Sequence, residues 1–301
     1  MKRFKHIVTP LSLTEADERI IGWTSKITRL AESEKVVFVH PMDIGEIPDE
    51  AKKKYPWLLG PIGDKAIEQM KAKVEELWDG HPEVEFEYRA LDRPSQALAV
   101  LEVVLEESAD LVVVCRGAFG NDLAIRLARK APCSVMVIPS NSKVELNNIT
   151  VPVDFSEHSE RALDVATAFA SAEGLAAIAS INVFDVGRMA HRATIPIEEV
   201  RQMTADFVAK EHQAFLSKAE TKGVSVSDKQ VCSMIKPEAI ISEARNNGSN
   251  LIVIGTRGKD TIAALLLGSV SEGLLRSSDI PVIAAKDKGA GLNLVKALLG
   301  N

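Results

Sequence analysis

The chain repeats itself, and the repeat limits the folds open to it more than any other feature. Laid on itself with a shift of 142 residues, it pairs Pro10 with Pro152, Glu15 with Glu157, Glu18 with Glu160 and Arg19 with Arg161, and further on Asp43 with Asp185 and Gly45 with Gly187. A shift of 143 pairs Pro94 with Pro237, and one of 140 pairs the apolar run Leu111–Val114 with Leu251–Ile254. Drifts of this size are what loop insertions and changes of helix length leave behind. The chain of 301 residues thus divides into two copies of one domain, each near the usual size of about 150 residues. The expected boundaries are 1–140 and 146–288, joined by the polar stretch Ser140–Asn148 and followed by a C-terminal helical tail over 289–301.

Both copies alternate short β-branched runs with longer amphipathic segments, the pattern of a parallel sheet with crossover helices. In the second copy the strand candidates are Ile149–Asp154, Ala176–Phe184, Val224–Cys232, Leu251–Gly255 and Pro281–Ala285. Between the first two, Ala162, Val165, Ala166 and Phe169 recur at helical spacing within a helix over Ser159–Ala172. Pro237 suits the first turn of a later helix, where its missing N–H costs nothing. Strands as apolar as Leu111–Val114 and Leu251–Ile254 want cover on both faces, as in the middle of a doubly wound sheet. The expected class is α/β, two repeated five-stranded parallel-sheet domains. Ligands of such sheets lie beyond the carboxyl ends of the strands, at the switch point of the strand order.

Composition narrows the partners. Hydrophobic residues make up 46% and charged residues 26% of the chain, which is globular rather than disordered. A net charge of −6 advertises neither nucleic acid nor an anionic membrane as a partner. The apolar run Ile262–Leu267 is far too short to span a bilayer, and the N-terminus lacks the apolar segment of a signal peptide. Cys115, Cys133 and Cys232 have no zinc-ligand spacing and fit a reducing, cytoplasmic setting, with Cys133 and Cys232 read as small buried residues. The histidines (His6, His40, His81, His158, His191, His212) show no metal spacing and most are expected to be surface or capping residues, so no metal site is proposed.

Chemistry concentrates after the strand Leu251–Ile254. Gly255 and Gly258 are followed, nine residues on, by Gly268, Ser269 and Val270 opening the last helix. Glycine after a buried strand lets the backbone turn sharply and approach a ligand with no Cβ between. A helix N-terminus offers free N–H groups and a dipole that attract phosphate, and the Ser269 hydroxyl adds a hydrogen bond to a phosphate oxygen or caps the helix. Taken alone, such glycines also describe two ordinary turns.

The full spacing Gly-x2-Gly-x9-Gly-Ser resembles the nucleotide-binding signature of the universal stress protein family. Other segments agree in order: Val151-Pro-Val-Asp154-Phe-Ser156 resembles the family's first strand with its acidic end, Ile181-Asn-Val183 its second strand, and Ser277-Ser-Asp-Ile-Pro281-Val its closing strand. The resemblance covers 146–286 and, more loosely, the first copy. It implies a Rossmann-like sandwich of the adenine nucleotide alpha hydrolase type, holding ATP or AMP, with Mg2+ alongside ATP, in the second domain. By similarity Pro152, Asp154 and Val183 hold the adenine. Ile254, Gly255 and Gly268 lie along the ribose and first phosphate, and Gly258, Ser269 and Val270 face the outer phosphates. Arg257 or Lys259 adds charge there or is simply solvated. The family is tied to stress response through binding and regulation of a protein partner rather than through metabolism.

The first copy departs at each decisive position. Ser12 stands where the second has Asp154, Cys115 replaces the first glycine, and nine residues are missing between Leu111 and Pro132 relative to Leu251 and Pro281, the Gly-Ser pair among them. It is read as degenerate. Two alternatives stay open beside nucleotide binding: a slow ATP-hydrolysing enzyme, against which stands the absence of any Gly-x4-Gly-Lys-Ser/Thr loop or acid/base pair, and a partner-binding scaffold with no nucleotide. The copies are expected to pair within the chain as a pseudo-dimer through Ser134–Ile138 and Val282–Ala285, and a homodimer of chains is open.

Overall fold

The structure, a computed structural model, describes residues 3–42, 49–55, 59–120, 122–187, 196–256 and 267–290, with 292, 296 and 297. The chain forms two compact units, one of residues 1–144 with 287–301, the other of Glu145–Lys286.

The first unit runs β1 (His6–Pro10), α1 (Ala16–Ala31), β2 (Lys35–Met42), α2 (Asp49–Lys54), α3 (Leu59–Leu77), β3 (Glu85–Asp92), α4 (Gln96–Glu106), β4 (Leu111–Cys115), α5 (Leu123–Lys130) and β5 (Ser134–Ile138). Its strands lie in the order β3-β2-β1-β4-β5, all parallel. The second runs β6 (Ile149–Pro152), α6 (Glu157–Glu173), β7 (Ala177–Phe184), α7 (Ile197–Leu216), β8 (Ser225–Cys232), α8 (Lys236–Asn246), β9 (Leu251–Gly255), α9 (Ser269–Ser277) and β10 (Val282–Ala285). Its order is β10-β9-β6-β7-β8, again all parallel. Each unit is therefore a five-stranded, doubly wound α/β domain.

Burial follows strand position. Every residue of β4, β6 and β9 is buried, as central strands covered by helices on both faces must be. β8, at one end of its unit's order, has no buried residue and carries the exposed Asp228 and Lys229. The apolar stripe of α6 does the covering: Ala162, Val165, Ala166 and Phe169 are all buried. Ser156 caps this helix by accepting from Ser159 N, and Gly174 ends it in a left-handed turn. Pro237 sits in the first turn of α8.

In each unit the chain leaves its first strand in one direction and returns to the other side of it. The second unit's order thus reverses between β6 and β9, and the carboxyl ends of these two neighbours open the crevice where doubly wound folds take ligands.

Candidate functional site

Asp154 follows β6 directly. Its Oδ1 accepts from Ser156 N at 3.2 Å, Ser156 Oγ at 2.6 Å and Ser159 Oγ at 2.6 Å, while its own N–H donates to Ser159 Oγ at 3.0 Å. These bonds stitch the strand end to the first turn of α6 and hold the carboxylate in one direction. Between them Phe155 takes a left-handed conformation, φ 65°, which turns the chain sharply enough for Ser156 to reach back. Pro152 closes β6 and is buried. Val183 is buried in β7, and beside it Asn182 Nδ2 donates to Val153 O at 2.7 Å, fixing the strand end from the neighbouring strand.

Ile254 and Gly255 end β9 and are both buried. The glycine is required, though for a reason the sequence does not display: a Cβ at Gly255 would lie 2.6 Å from His158 O and 2.8 Å from His158 Cβ. Gly255 is where the strand end meets the backbone of α6. Its carbonyl accepts from Ser271 Oγ at 2.7 Å, and Gly268 N donates to Thr256 O at 2.8 Å. These two bonds bring the start of α9 onto the end of β9 and close the loop between them at its base. Gly258, with Arg257 and Lys259, lies outside the described residues.

Gly268 stands at the N-cap of α9 with φ −62° and ψ 147°. The exposed Ser269 and half-buried Val270 form the first turn, where backbone N–H groups lie outside the helix's own ladder and the dipole is positive. The sites expected for adenine and for phosphate thus sit on adjacent strand ends across the switch point. Ser156, Ser159, Asn182 and Ser271 complete the framework, and their signal in the sequence is only that small polar residues interrupt apolar runs.

The corresponding corner of the first unit is built with its polarity exchanged. Ser12 N and Ser12 Oγ both donate to Asp17 Oδ1 at 2.9 Å, and Ser12 Oγ shares a hydrogen bond with Thr14 Oγ1 at 2.7 Å. Here the carboxylate belongs to the helix and the hydroxyl to the strand end. Lys73 from α3 donates to Thr14 O at 2.7 Å and stands 3.7 Å from Asp17 Oδ2. Cys115, in the place of Gly255, is buried, and burial pushes its thiol up to about 11, so it is protonated at neutral pH.

His212 is an exception to the surface or capping role expected of most histidines: it is fully buried, with its ring between Ser180 Oγ at 2.7 Å and Gln230 Nε2 at 3.3 Å. Cys232 is half-exposed rather than buried, because β8 closes one end of its unit's strand order. A cleft of about 350 Å3 lies at the opposite, amino-terminal ends of β7 and β8, lined by Asn148, Ala177 and Ser227 among others, and takes in none of the residues above. Among the described residues no group of three His, Cys, Asp or Glu side chains is placed to hold a metal, and no helix is long and apolar enough to cross a membrane.

Strand order, switch point and a glycine-opened last helix define a doubly wound α/β domain. Residues 145–286 match the Universal stress protein family. A universal stress protein of Mycobacterium tuberculosis is 30% identical over 197 residues, covering 62% of this chain and 62% of that protein. One from Methanocaldococcus jannaschii is 26% identical over 162 residues, 49% of this chain and 99% of the relative. The crystal structure of a universal stress protein from Archaeoglobus fulgidus shares the fold, with a TM-score of 0.60 over 95% of this chain and 97% of its own at 16% identity. The chain matches that family over its second unit, Glu145–Lys286. Its match spans about three fifths of the length of the mycobacterial relatives.

Proposed function

We propose that the second unit binds one adenine nucleotide, ATP or AMP, across the switch point between β6 and β9, and that the chain acts in stress response through binding and regulation rather than metabolism. One observation supports the reading: a carboxylate fixed by hydrogen bonds and a helix N-terminus stand at the carboxyl ends of two adjacent strands, β6 and β9. A carboxylate held this way accepts from an exocyclic amine, and Pro152 and Val183 supply apolar cover for a ring. Ile254, Gly255 and Gly268 then run beside the ribose and first phosphate. Gly258, Ser269 and Val270 serve the outer phosphates, with Mg2+ accompanying them when the ligand is ATP. Gly255 contributes close packing of β9 against α6 rather than open space for the ligand.

The first unit keeps the fold and not the site. It presents Ser12 where the second presents Asp154, and Cys115 where it presents Gly255. Denaturing freshly purified protein and identifying what it releases by chromatography and mass spectrometry tests this reading. About one ATP or AMP per chain is expected. No nucleotide, followed by no binding in a titration with ATP and magnesium, would leave a partner-binding scaffold in its place.

A further inference from the structure

Behind the Asp154 turn a polar chain runs from the exposed Asp228 to the buried His212 and Ser180, and the nucleotide reading does not use it. Asp228 Oδ2 on β8 accepts from Gln230 Nε2 at 3.1 Å, and the same amide nitrogen faces His212 Nδ1 at 3.3 Å. A carboxylate only accepts, so it sets which end of the Gln230 amide points inward, and Nδ1 must then be the unprotonated nitrogen. Nε2–H is left to donate to Ser180 Oγ on β7, at 2.7 Å. The imidazole therefore has one assigned tautomer.

The ring also meets Phe155, tilted by 50° at 5.4 Å centroid to centroid, and Phe155 packs in turn on Phe215 at 5.7 Å. Phe155 is the residue at φ 65°, a conformation that a bulky side chain keeps only where its surroundings hold it. If the ring lost its seat, the turn would relax. The bonds from Ser156 and Ser159 to Asp154 Oδ1 depend on that turn.

We propose that His212 is a positioning residue for the Asp154 turn, acting through the ring of Phe155 and so setting the direction of the carboxylate at the adenine end of the site. The effect on affinity rests on the nucleotide reading above; the effect on the turn does not. The groups facing His212 are Asp228 and Gln230 from β8, Ser180 from β7 and Phe155 from the turn. Burial holds the imidazole below its ordinary value against the opposing pull of Asp228. Protonation would set Nδ1–H against the N–H of Gln230, two donors with no acceptor between them.

The test follows amide hydrogen exchange at Ser156 and Ser159, together with ATP affinity, in the parent, in His212→Ala and in the double variant His212→Phe/Ser180→Ala. The double variant restores an aromatic ring without stranding a hydroxyl. Alanine is expected to speed exchange at both amides and to weaken ATP about three- to tenfold, the range of an indirect coupling. The double variant should recover both, and should lack the extra loss of affinity expected of the parent as the pH falls below 6.5. A folded His212→Ala chain with parental exchange and affinity overturns the proposal, as does a double variant that rescues neither. Where alanine does not fold, His212→Gln, which keeps a donor and loses the ring, decides in its place. A parent that binds no ATP removes the nucleotide reading, and exchange still decides the role of His212.

Discussion

Ser159 Oγ donates to Asp154 Oδ1 at 2.6 Å in the second unit, and in the first the same two positions hold Asp17 and Ser12, with the donor now on the strand end and the acceptor on the helix. Both arrangements tie the first strand to the first helix. Only one leaves a carboxylate at the strand end. The double variant Asp154→Ser/Ser159→Asp, which copies the first unit's pair into the second, should therefore keep its denaturation midpoint while losing adenine nucleotide. The expected loss is about ten- to a hundredfold in affinity, the worth of a hydrogen bond to a charged group. Parental affinity in the folded variant would remove Asp154 from the site.

Gly255 and Gly268 should separate by stability. Gly255→Ala places a Cβ against the backbone of α6 and is expected to cost about 1–3 kcal/mol, as overpacking does. Gly268 has dihedral angles open to any residue, so Gly268→Ala should leave stability within about 1 kcal/mol and act on phosphate affinity instead. Urea unfolding of both variants checks this. Equal losses of stability would mean that the β9–α9 connection is not packed as described.

This pair also shows what the sequence makes legible. The repeat follows from laying the chain on itself, the parallel α/β class and the buried stripe of α6 from local periodicity, the Gly268 neighbourhood from glycine placement, and Asp154 only from the family resemblance. The reason for Gly255 is not local: it lies in a helix nearly a hundred residues earlier. His212 is hidden for the same cause, since its partners Ser180 and Gln230 sit on two different strands. The exchange of Ser12 and Asp17 was visible in the alignment of the two copies. Comparing single positions shows only a lost carboxylate there; comparing pairs shows that it moved to the helix.

The buried His212 makes stability depend on pH with a definite sign. Its pKa in the folded chain lies below the ordinary value of 6.5, so below that pH the unfolded chain takes up the proton more readily. Stability is full above about pH 6.5 and declines as the pH falls toward the folded value. Thermal denaturation of the second unit between pH 7.5 and 5 should show this decline, and His212→Phe/Ser180→Ala should flatten it. An unchanged slope in the double variant would place the titration elsewhere.

The segment after β10 belongs to the first unit. Gly289 N donates to Pro132 O at 2.7 Å and Lys288 pairs with Asp110 at 2.7 Å. Asp110 in turn accepts from the backbone N–H groups of Lys5 and His6 at the start of β1. Ending the chain at Lys286 should destabilise the first unit by about 1 kcal/mol, the scale of one hydrogen bond and one exposed ion pair. Exchange should rise around 131–133, and nucleotide affinity should stay unchanged. A fall in affinity with no change near Pro132 would contradict this division of roles.

The central claim is that one adenine nucleotide sits in the second unit and none in the first. Photolabelling the intact chain with an azido-adenine analogue of ATP, then mapping the labelled peptides, tests it most directly. The account predicts label confined to peptides from 146–286, about one per chain, competed away by ATP and abolished in Asp154→Ser/Ser159→Asp. Competable label on peptides from 1–140, or none in either unit, would contradict it.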